Sequence, residues 1–333
     1  MARRSADAAD DGREAELMAR AAWLHFVGGL TQGEVARRLM VPVTRAHRYI
    51  ARAQAEGLVR VTVDVQSAEC LELETEIARR HGLAGCRVAM ELPEPGPLPL
   101  RALGAAGADY LRRLARARPH RVIGIGHGRT IAAAVNALGR VDMTGMRVVS
   151  MLGGLTRSFA ANPYDVIHSL ARRGAADAYM LPAPMFADSA DDKQVMLAQR
   201  GIAQIMALIA QATLAILGIG CIEPGESGPG VEALASPEAA RALLARGARA
   251  EILGQFIDAD GRVMDAESDA RVMAPPLESL RGKTLVAIAG GPGKVAAIAA
   301  ALRSGLLREL ITDEATARAL VGDGGGRAAR AAE

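Results

Sequence analysis

From residue 121 onward, short apolar runs that end in Gly or Pro alternate with longer segments of helical periodicity. The apolar runs have the length of strands and fall at 122–126, 148–154, 179–184, 214–220, 285–291 and 310–312. The helical segments fall at 129–138, 163–173, 193–211, 237–246 and 293–304. Strands that alternate with helices pair in parallel, and the helices then cover both faces of the sheet. The pattern therefore predicts a doubly wound α/β domain.

The segment 30–58 has a different pattern, which predicts two short helices on either side of a tight turn. Thr31 begins the first helix, and Glu34, three residues later, has the spacing of a capping box. Pro42 ends that helix because its ring clashes with the preceding turn. The second helix is predicted over 43–56, with an inward face made of Ala46, Tyr49, Ile50 and Ala53.

The predicted second helix is strongly basic. Residues 37–60 contain six Arg and one acid, Glu56. A short helix, a tight turn and a basic second helix match the helix-turn-helix geometry, which places one helix in the major groove of DNA. The residues that we expect to contact DNA are Thr31, Gln32, Arg37, Arg38, Val43, Thr44, Arg45, His47, Arg48 and Arg52. Two alternatives stay open: a helical hairpin whose Arg face is only solvated, and a protein that binds RNA or DNA with little sequence preference.

The flanks of this segment complete a small domain. Residues 15–27 predict a preceding helix whose inward face carries Leu17, Ala21, Leu24 and Val27. The alternation at 58–63 predicts a strand pair or the edge of a wing. We therefore expect a helix-turn-helix domain at 14–64, an effector domain at 65–322, and disordered tails at 1–13 and 323–333.

Length and composition limit the class of protein. A chain of 333 residues predicts two domains, and a net charge of +3 is too small to indicate nucleic-acid binding without the local Arg cluster. The first residues lack the apolar core of a signal peptide, and no apolar run is long enough to span a membrane. Three widely spaced Cys, with no CxxC or HxxxH pattern, fit a reducing compartment and no structural metal. We expect a cytoplasmic protein without a cofactor or a membrane contact.

Glycine-rich loops follow three of the predicted strands, at 124–130, 153–156 and 290–294. Ligands of an open parallel sheet bind beyond the carboxyl ends of its strands, and glycines let backbone N–H groups approach them. The first loop is not a dinucleotide fingerprint, because Arg129 stands where the third Gly is required. Several polar loops together favour a small polyhydroxylated or phosphorylated ligand. The alternative is that such glycines only close the turns of the fold.

Catalytic machinery is not evident in the sequence. His127 lies in the first glycine-rich loop and has the chemistry of a general base, but no nucleophile has a neighbouring base. Asp313 and Glu314 begin a predicted helix, where negative charge is favourable without any catalytic role. We therefore expect no catalytic residue. The alternative is an isomerase-type enzyme that acts on sugar phosphates and carries an accessory helical domain.

Ordered motifs over residues 15–322 give the chain a family resemblance. They are AAWLHFVGGLTQGEVARRL (21–39), GIGHGRT (124–130), MLGGLTR (151–157), NPYDVI (162–167), LPAPMFADS (181–189), ILGIGCIEP (216–224), ILGQFIDADGRV (252–263), AIAGGPGK (287–294) and LITDEAT (310–316). With these motifs the chain resembles sugar-binding transcriptional regulators of the SorC/DeoR type, which pair a short helix-turn-helix with a domain that senses a sugar or sugar phosphate.

The resemblance implies an effector domain related to sugar-phosphate isomerases and deaminases, in a dimer or tetramer that binds a palindromic operator near a sugar-catabolic operon. By position, it implies effector contacts at Gly126, His127, Gly128, Arg129, Thr130, Gly153, Gly154, Thr156, Asn162, Ala183, Gly220, Asp269 and Lys294. The amino-acid sequences of residues 21–26 and 153–166 are similar to those of family members that control polyol catabolism. That similarity implies a repressor whose effector is an acyclic polyol such as erythritol, or a phosphate derived from it.

Three positions depart from the family pattern. Met40 stands where the turn of the helix-turn-helix usually has Gly, and Pro42 stands where a capping Ser is common. His127 replaces a more usual Trp, which points to a smaller and more polar ligand. We therefore expect an altered turn between the two helices and an effector loop adapted to its ligand.

Overall fold

A computed structural model of the chain describes residues 2–56, 58–59, 67–118, 120–154, 166–222, 237–264 and 267–330. The chain divides into two units, Met1–Val65 and Gln66–Glu333. This division lies one residue from the domain boundary that the sequence predicts.

The first unit is helical. Its elements are α1 Ala2–Ala22, a π-helix at Trp23–Val27, α2 Gln32–Leu39 and α3 Val43–Ala55. The predicted inward face of α3 is confirmed, because Ala46, Tyr49, Ile50 and Ala53 are all buried in one cluster with Val35 of α2 and Ala21 of α1. This packing of three helices is what holds the exposed face of α3 in place.

Val27 differs from its predicted inward position, since 64% of its surface is exposed. The reason is a change of helix type. From Trp23 the backbone hydrogen bonds span five residues, as in the bond of 3.0 Å from the N–H of Gly28 to the carbonyl of Trp23. The wider turn of a π-helix moves later residues off the face that a 3.6-residue period predicts.

The two predicted tails are also corrected where the structure describes them. Helix α1 begins at Ala2 and so includes most of 1–13, where Ala, the strongest helix former, is frequent. The last helix, Glu314–Arg330, continues past Gly322 into the second predicted tail. Nothing in the structure explains why the three consecutive glycines stay helical. Most of the predicted wing at 58–63 lies outside the described residues.

The second unit contains a sheet of seven parallel strands in the order β1-β10-β9-β5-β2-β3-β4. Its strands are β1 Gly85–Ala89, β2 Val122–Ile125, β3 Arg147–Ser150, β4 Asp177–Tyr179, β5 Leu214–Leu217, β9 Thr284–Ile288 and β10 Glu309–Asp313. Five of the six predicted strands are present in the sheet, although several end earlier than predicted, whereas the strand predicted at 179–184 shares only Tyr179 with β4. Strand β1 was not predicted, because its short sequence carries a charged residue, Arg87, in the middle.

Helices cover both faces of this sheet. The helices of the second unit are α4 Ala68–His81, α5 Leu100–Ala117, α6 Arg129–Ala137, α7 Ile167–Gly174, α8 Ala190–Ala198, α9 Arg200–Gln211, α10 Pro237–Ala245, α11 Val295–Arg303 and α12 Glu314–Arg330. Side chains of α5, α6 and α7 pack on one face with Ile123 and Ile125 of β2. Those of α4, α9, α11 and α12 pack on the other face with Val149 of β3 and Leu217 of β5. The predicted doubly wound α/β class is confirmed.

Two predictions for this unit are wrong in detail. The single helix predicted at 193–211 is two helices, α8 and α9, because Gln199 between them has an extended backbone with ψ 130°. A second, antiparallel sheet was not predicted, and it consists of β6 Gly220–Cys221, β7 Ala248–Ile252 and β8 Gln255–Asp258. Its tight turn runs through Leu253 and Gly254, which both have positive φ. Such turns favour Asn, Asp or Gly at the first of these positions, so the Leu at 253 does not indicate a turn.

The strand order places the site. From β2 the chain proceeds through β3 to β4 on one side, whereas β5, β9 and β10 lie on the other side. The carboxyl ends of β2 and β5 therefore border the point at which the winding direction changes, where open α/β sheets bind their ligands.

Candidate functional site

A pocket opens at this switch point, between the loop that follows β2 and the loop that follows β5. It contains roughly 550 Å³ of space not filled by atoms, part of it open to solvent. The lining comprises Gly126, His127, Gly128, Arg129, Thr130, Leu152, Met185, Leu217, Gly218, Ile219, Gly220, Glu251, Leu253 and Lys294. The pocket thus joins the large sheet to the small antiparallel one.

The loop after β2 leads directly into helix α6. Gly128 caps that helix with φ 132° and ψ 164°, a backbone conformation that residues other than Gly rarely adopt. The first N–H groups of α6 therefore lie at the pocket wall, where they favour an anion or a hydroxyl oxygen. This is the role that the sequence predicts for the loop.

Two polar side chains of this loop are held by the protein itself. The buried hydroxyl of Thr130 donates a hydrogen bond of 2.7 Å to the carbonyl of Ile288, which ties α6 to the end of β9. Ser150 donates its hydroxyl to the carbonyl of Leu152 at 2.7 Å, so its oxygen is left to accept from Nε2 of His127 at 3.2 Å. The imidazole is therefore oriented by the strand next to it.

A buried pair of opposite charges lies on the other side of the pocket. Nζ of Lys294 donates to the carbonyl of Ile219 at 2.6 Å, and Lys294 is 8% exposed. Glu251 is 7% exposed and accepts from the N–H of Gly254 at 2.5 Å. Burial raises the pKa of Glu251, while the Gly254 hydrogen bond and the charge of Lys294 act in the opposite direction. Gly220 is required beside it, because a Cβ there would lie 2.4 Å from Oε2 of Glu251.

Arg129 differs from these buried groups. It is half-buried, lines the pocket, and forms no ion pair with any residue that the structure describes. Its guanidinium has five donors in a planar fork, which suits a phosphate or carboxylate group. The pocket can therefore offer two cations, one carboxyl group and a set of backbone N–H donors.

Seven of the predicted effector residues line the pocket, namely Gly126, His127, Gly128, Arg129, Thr130, Gly220 and Lys294. Thr156 and Asn162 lie outside the described residues, so their predicted contacts stay predictions.

Three further predicted effector residues hold two loops together and do not line the pocket. The N–H of Gly154 donates to the carbonyl of Ala183 at 2.8 Å. A Cβ on Gly153 would lie 2.1 Å from the carbonyl oxygen of Pro184. These glycines allow the loop after β3 to approach the segment after β4, so the close approach is between two backbones rather than between backbone and ligand.

Asp269 also lies away from the pocket lining. It belongs to a 3-10 helix, Glu267–Ala270, and its backbone carbonyl accepts from Nζ of Lys193 at 3.0 Å. The family resemblance implies an effector contact at Asp269, but Asp269 is not part of this pocket.

Glu251, Met185, Leu152 and Leu253 line the pocket but were not predicted. Glu251 and Leu253 come from the small antiparallel sheet, whose strands the sequence analysis missed. A usable indication was present, because an acid within the apolar stretch 248–254 is expensive to bury without a function.

Two structural searches of the described residues gave negative results. No group of three or more His, Cys, Asp or Glu within them could hold a metal ion. No helix within the described ranges is long and apolar enough to cross a membrane.

The first unit presents the predicted DNA-contacting face. Helix α2 begins with the predicted capping box, in which the N–H and hydroxyl of Thr31 both donate to Glu34 at 2.8 Å. The polar atoms of Thr31 are therefore engaged in the cap. Gln32 is half-buried, and the other predicted DNA contacts, Arg37, Arg38, Val43, Thr44, Arg45, His47, Arg48 and Arg52, are exposed.

The arginines of this face are not equivalent. Arg52 pairs with Glu56 at 2.9 Å and with Glu14 of α1 at 3.2 Å, and Arg48 lies 3.8 Å from the same Glu14 carboxylate. Arg45 forms no ion pair with any described residue. Counting charges along 37–60 missed Glu14, because that acid reaches the face from a preceding helix.

The turn between α2 and α3 contains two of the departures from the family pattern. Met40 is in the left-handed conformation with φ 54° and ψ 44°, and 92% of its surface is exposed. Pro42 is the N-terminal cap of α3 and provides no side-chain hydrogen bond. Both departures from the family pattern are thus accommodated at some cost in local stability.

Together the fold and the pocket define a protein of two units, a helical unit with a cationic face and an α/β unit with a pocket at its switch point. The chain belongs to the Sugar-bind family of sugar-binding domains, which matches residues 65–322. The SorC/DeoR resemblance is confirmed by this match.

Similar proteins extend the match to the helical unit. The erythritol catabolism regulatory protein EryD of Brucella abortus is 46% identical over 313 residues, which cover 93% of this chain and 98% of EryD. The transcriptional regulator LsrR of Enterobacter sp. is 31% identical, over 92% of this chain and 93% of LsrR. The full-length sorbitol operon regulator SorC of Klebsiella pneumoniae has the same fold, with a TM-score of 0.68 at 24% identity over 93% of this chain and 99% of SorC.

These comparisons also decide between the two functional classes that the sequence left open. The similar proteins are named regulators and not enzymes. The prediction that the chain is not an enzyme is confirmed, and the isomerase-type alternative has no support.

Proposed function

We propose that the chain is a DNA-binding transcriptional repressor of a polyol-catabolic operon, and that a small carbohydrate or sugar phosphate controls its affinity for the operator. The proposed effector is erythritol or a derivative of it. The observation that carries the proposal is the pocket at the switch point of a sugar-binding domain, in a chain 46% identical to an erythritol catabolism regulator.

The chemistry of the pocket supports a polyhydroxylated ligand. Hydroxyl groups both donate and accept hydrogen bonds, and the pocket offers the carboxyl group of Glu251 as an acceptor beside Lys294 as a donor. Arg129 adds a cation suited to a phosphate at one end of such a molecule. A nearly apolar ligand would use none of these polar groups and would remove Arg129 from water without a new partner, which is costly.

The helical unit supports DNA binding. Thr44, Arg45, His47 and Arg48 project from the exposed face of α3 and would meet base edges or nearby phosphates, while Arg37, Arg38 and Arg52 would meet the DNA backbone. Phosphate contacts provide most of the affinity and base contacts provide the sequence preference. Two half-sites require two copies of α3, so the proposed regulator is at least a dimer, and it works without a cofactor.

The proposed regulation is a population shift. The effector binds one arrangement of the DNA-binding units more tightly than the other, and that difference in affinity changes operator binding. The coupling is reciprocal, so operator DNA must change effector affinity by the same factor.

The test is a thermal-shift screen of the purified chain against erythritol, its phosphates, other polyols and sugars, followed by DNA binding with each compound that stabilises the protein. We expect stabilisation by a polyol or its phosphate, lost in Lys294→Met and retained in the control Lys193→Met. Turnover of a sugar phosphate, or equal operator affinity with and without the stabilising compound, would contradict the proposal.

A further inference from the structure

An exposed tryptophan on the helical unit has no role in either binding site. Trp23 is the single tryptophan of the chain, and 66% of its surface is exposed. It begins the π-helix that follows α1, and π-helical turns are frequent at functional sites. Large aromatic side chains are costly to expose and are common among the residues that dominate protein interfaces.

Trp23 stands at the edge of a groove between the end of α1 and the end of α2. The apolar wall of the groove is formed by Ala19, Leu24 and Leu39. Its rim carries Glu16, Arg20 and Arg38. Glu16 and Arg20 are paired at 2.6 Å and remain exposed, at 61% and 66% of their side-chain surfaces.

The rim charges distinguish this surface from the DNA-contacting face. The exposed face of α3 is strongly cationic, which suits a polyanion. The groove rim carries one acid and two arginines, Glu16 is paired with Arg20, and the floor is apolar, so a phosphate backbone would not cover the indole. An apolar side chain flanked by both signs of charge is a better match for the indole and the groove.

The surface around Trp23 and the groove itself presents an apolar side chain flanked by both signs of charge. It carries a projecting aromatic side chain beside an apolar groove, and both signs of charge on one rim. A two-fold axis brings the same patch of two copies together, so that each copy supplies what the other lacks.

We propose that the groove formed by Ala19, Leu24 and Leu39 receives Trp23 of a second copy of this chain, and that the reciprocal insertion pairs the two helix-turn-helix units. Glu16 of each copy then lies near Arg20 on the rim of the other. This inference rests on the proposed function, because paired units are what an operator with two half-sites requires.

The single tryptophan makes the test direct, since its fluorescence reports its own environment. The DNA probe is a duplex selected by the full chain from random sequence, compared with the same duplex after one arm of its inverted repeat has been scrambled. Emission should move to shorter wavelengths as protein concentration rises, and again when the two-armed duplex is added. The one-armed duplex should leave the emission where it was.

Two variants test the contact from both sides. Ala19→Arg fills the groove but keeps the fluorophore, and Trp23→Ala removes the side chain that enters it. Each should weaken binding to the two-armed duplex on the order of a hundredfold, because the second arm loses its advantage of effective concentration, and leave one-armed binding unchanged. Val195→Ala is the matched control, since Val195 is also 66% exposed but lies in the other unit.

An emission shift of equal size with both duplexes would mean that the indole contacts DNA, and full two-armed affinity in Ala19→Arg would mean that the groove is not used. Either result overturns the inference. If the chain selects no duplex at all, the proposed function fails, and the concentration dependence of the emission still decides whether the groove pairs two copies.

Discussion

The two units present their binding groups in opposite ways. On α3 the arginines are exposed and held by few contacts, and the helix that carries them is fixed from behind by a small apolar core. In the pocket, Glu251, Lys294 and Thr130 are buried and each is hydrogen-bonded to backbone. Groups of the first kind can be exchanged without disturbing the fold, whereas those of the second kind contribute to stability and binding together.

The glycines of the two units provide the largest expected contrast. Gly153→Ala would place a methyl group 2.1 Å from the backbone oxygen of Pro184, so one of the two backbones would have to shift. We expect it to destabilise the α/β unit by about 3 kcal/mol. Gly33→Ala in α2 meets nothing within 4 Å, and we expect it to stabilise the helical unit by about 0.5–1 kcal/mol.

Hydrogen exchange of the full chain, measured peptide by peptide, assigns each effect to its unit. The comparison fails if Gly153→Ala exchanges like the wild type in 147–154 and 181–185, or if Gly33→Ala increases exchange in α2.

Two carboxylates should give the units opposite pH dependence. Hydrogen bonds from the backbone N–H and hydroxyl of Thr31 lower the pKa of Glu34. The ionised carboxylate therefore stabilises the helical unit above the ordinary pKa of 4.5, and this stabilisation is lost as pH falls through the lowered pKa. Burial raises the pKa of Glu251, so the α/β unit loses stability as pH rises from 4.5 through the raised value. Within that window the loss should approach about 1.4 kcal/mol per pH unit.

Thermal unfolding from acidic to neutral pH measures both trends. Glu251→Gln should flatten the decline of the α/β unit with rising pH, and Glu34→Gln should flatten the decline of the helical unit with falling pH. Burial also raises the pKa of Glu309, at the start of β10, so the double variant Glu251→Gln and Glu309→Gln should flatten it further. An unchanged slope in Glu251→Gln would show that this carboxyl is not the titrating group.

Exposed arginines should differ according to their ion pairs. Arg45→Ala should weaken operator binding about tenfold and reduce the salt slope by about one unit if Arg45 meets a phosphate. Arg52→Ala should have a smaller effect, because Glu14 and Glu56 already hold that guanidinium. Glu14→Gln should increase affinity.

Binding isotherms at several salt concentrations give both quantities. Equal losses for Arg45→Ala and Arg52→Ala would show that the intramolecular pairs do not compete with DNA.

The same contrast explains what the sequence could predict. The capping box of Thr31 and Glu34 and the buried side of α3 depend on residues within one or two turns of each other, so spacing was sufficient. The central strands β2, β5 and β9 were found because strands buried on both faces are nearly continuous apolar runs.

The pocket depends instead on distant segments meeting. Glu251 enters it from a hairpin that has no glycine or asparagine at its first turn position, and so it was missed. Gly153 and Ala183 were assigned to the effector by their positions in the family pattern, and a glycine such as Gly153 also marks a close approach. Spacing alone does not tell whether the approaching group is a ligand or, as here, another loop.

The smallest expected effect concerns two residues with the same unfavourable backbone. Met40 and Leu253 have φ of 54° and 53°, where a side chain costs about 1 kcal/mol relative to Gly. Met40 is 92% exposed, so Met40→Gly should remove that backbone cost without losing buried contacts. Because Gly also increases the entropy of the unfolded chain, the net stabilisation of the helical unit should be about 0.5 kcal/mol.

Leu253 is 5% exposed and packs in the core beside the pocket. Leu253→Gly should therefore destabilise the α/β unit by about 2 kcal/mol, because the lost burial exceeds the relief of the backbone. Urea unfolding of both variants compares the two terms directly. If both stabilise the protein, backbone strain outweighs packing at the pocket wall as well, and the contrast between a replaceable surface and a pocket built into the core does not hold.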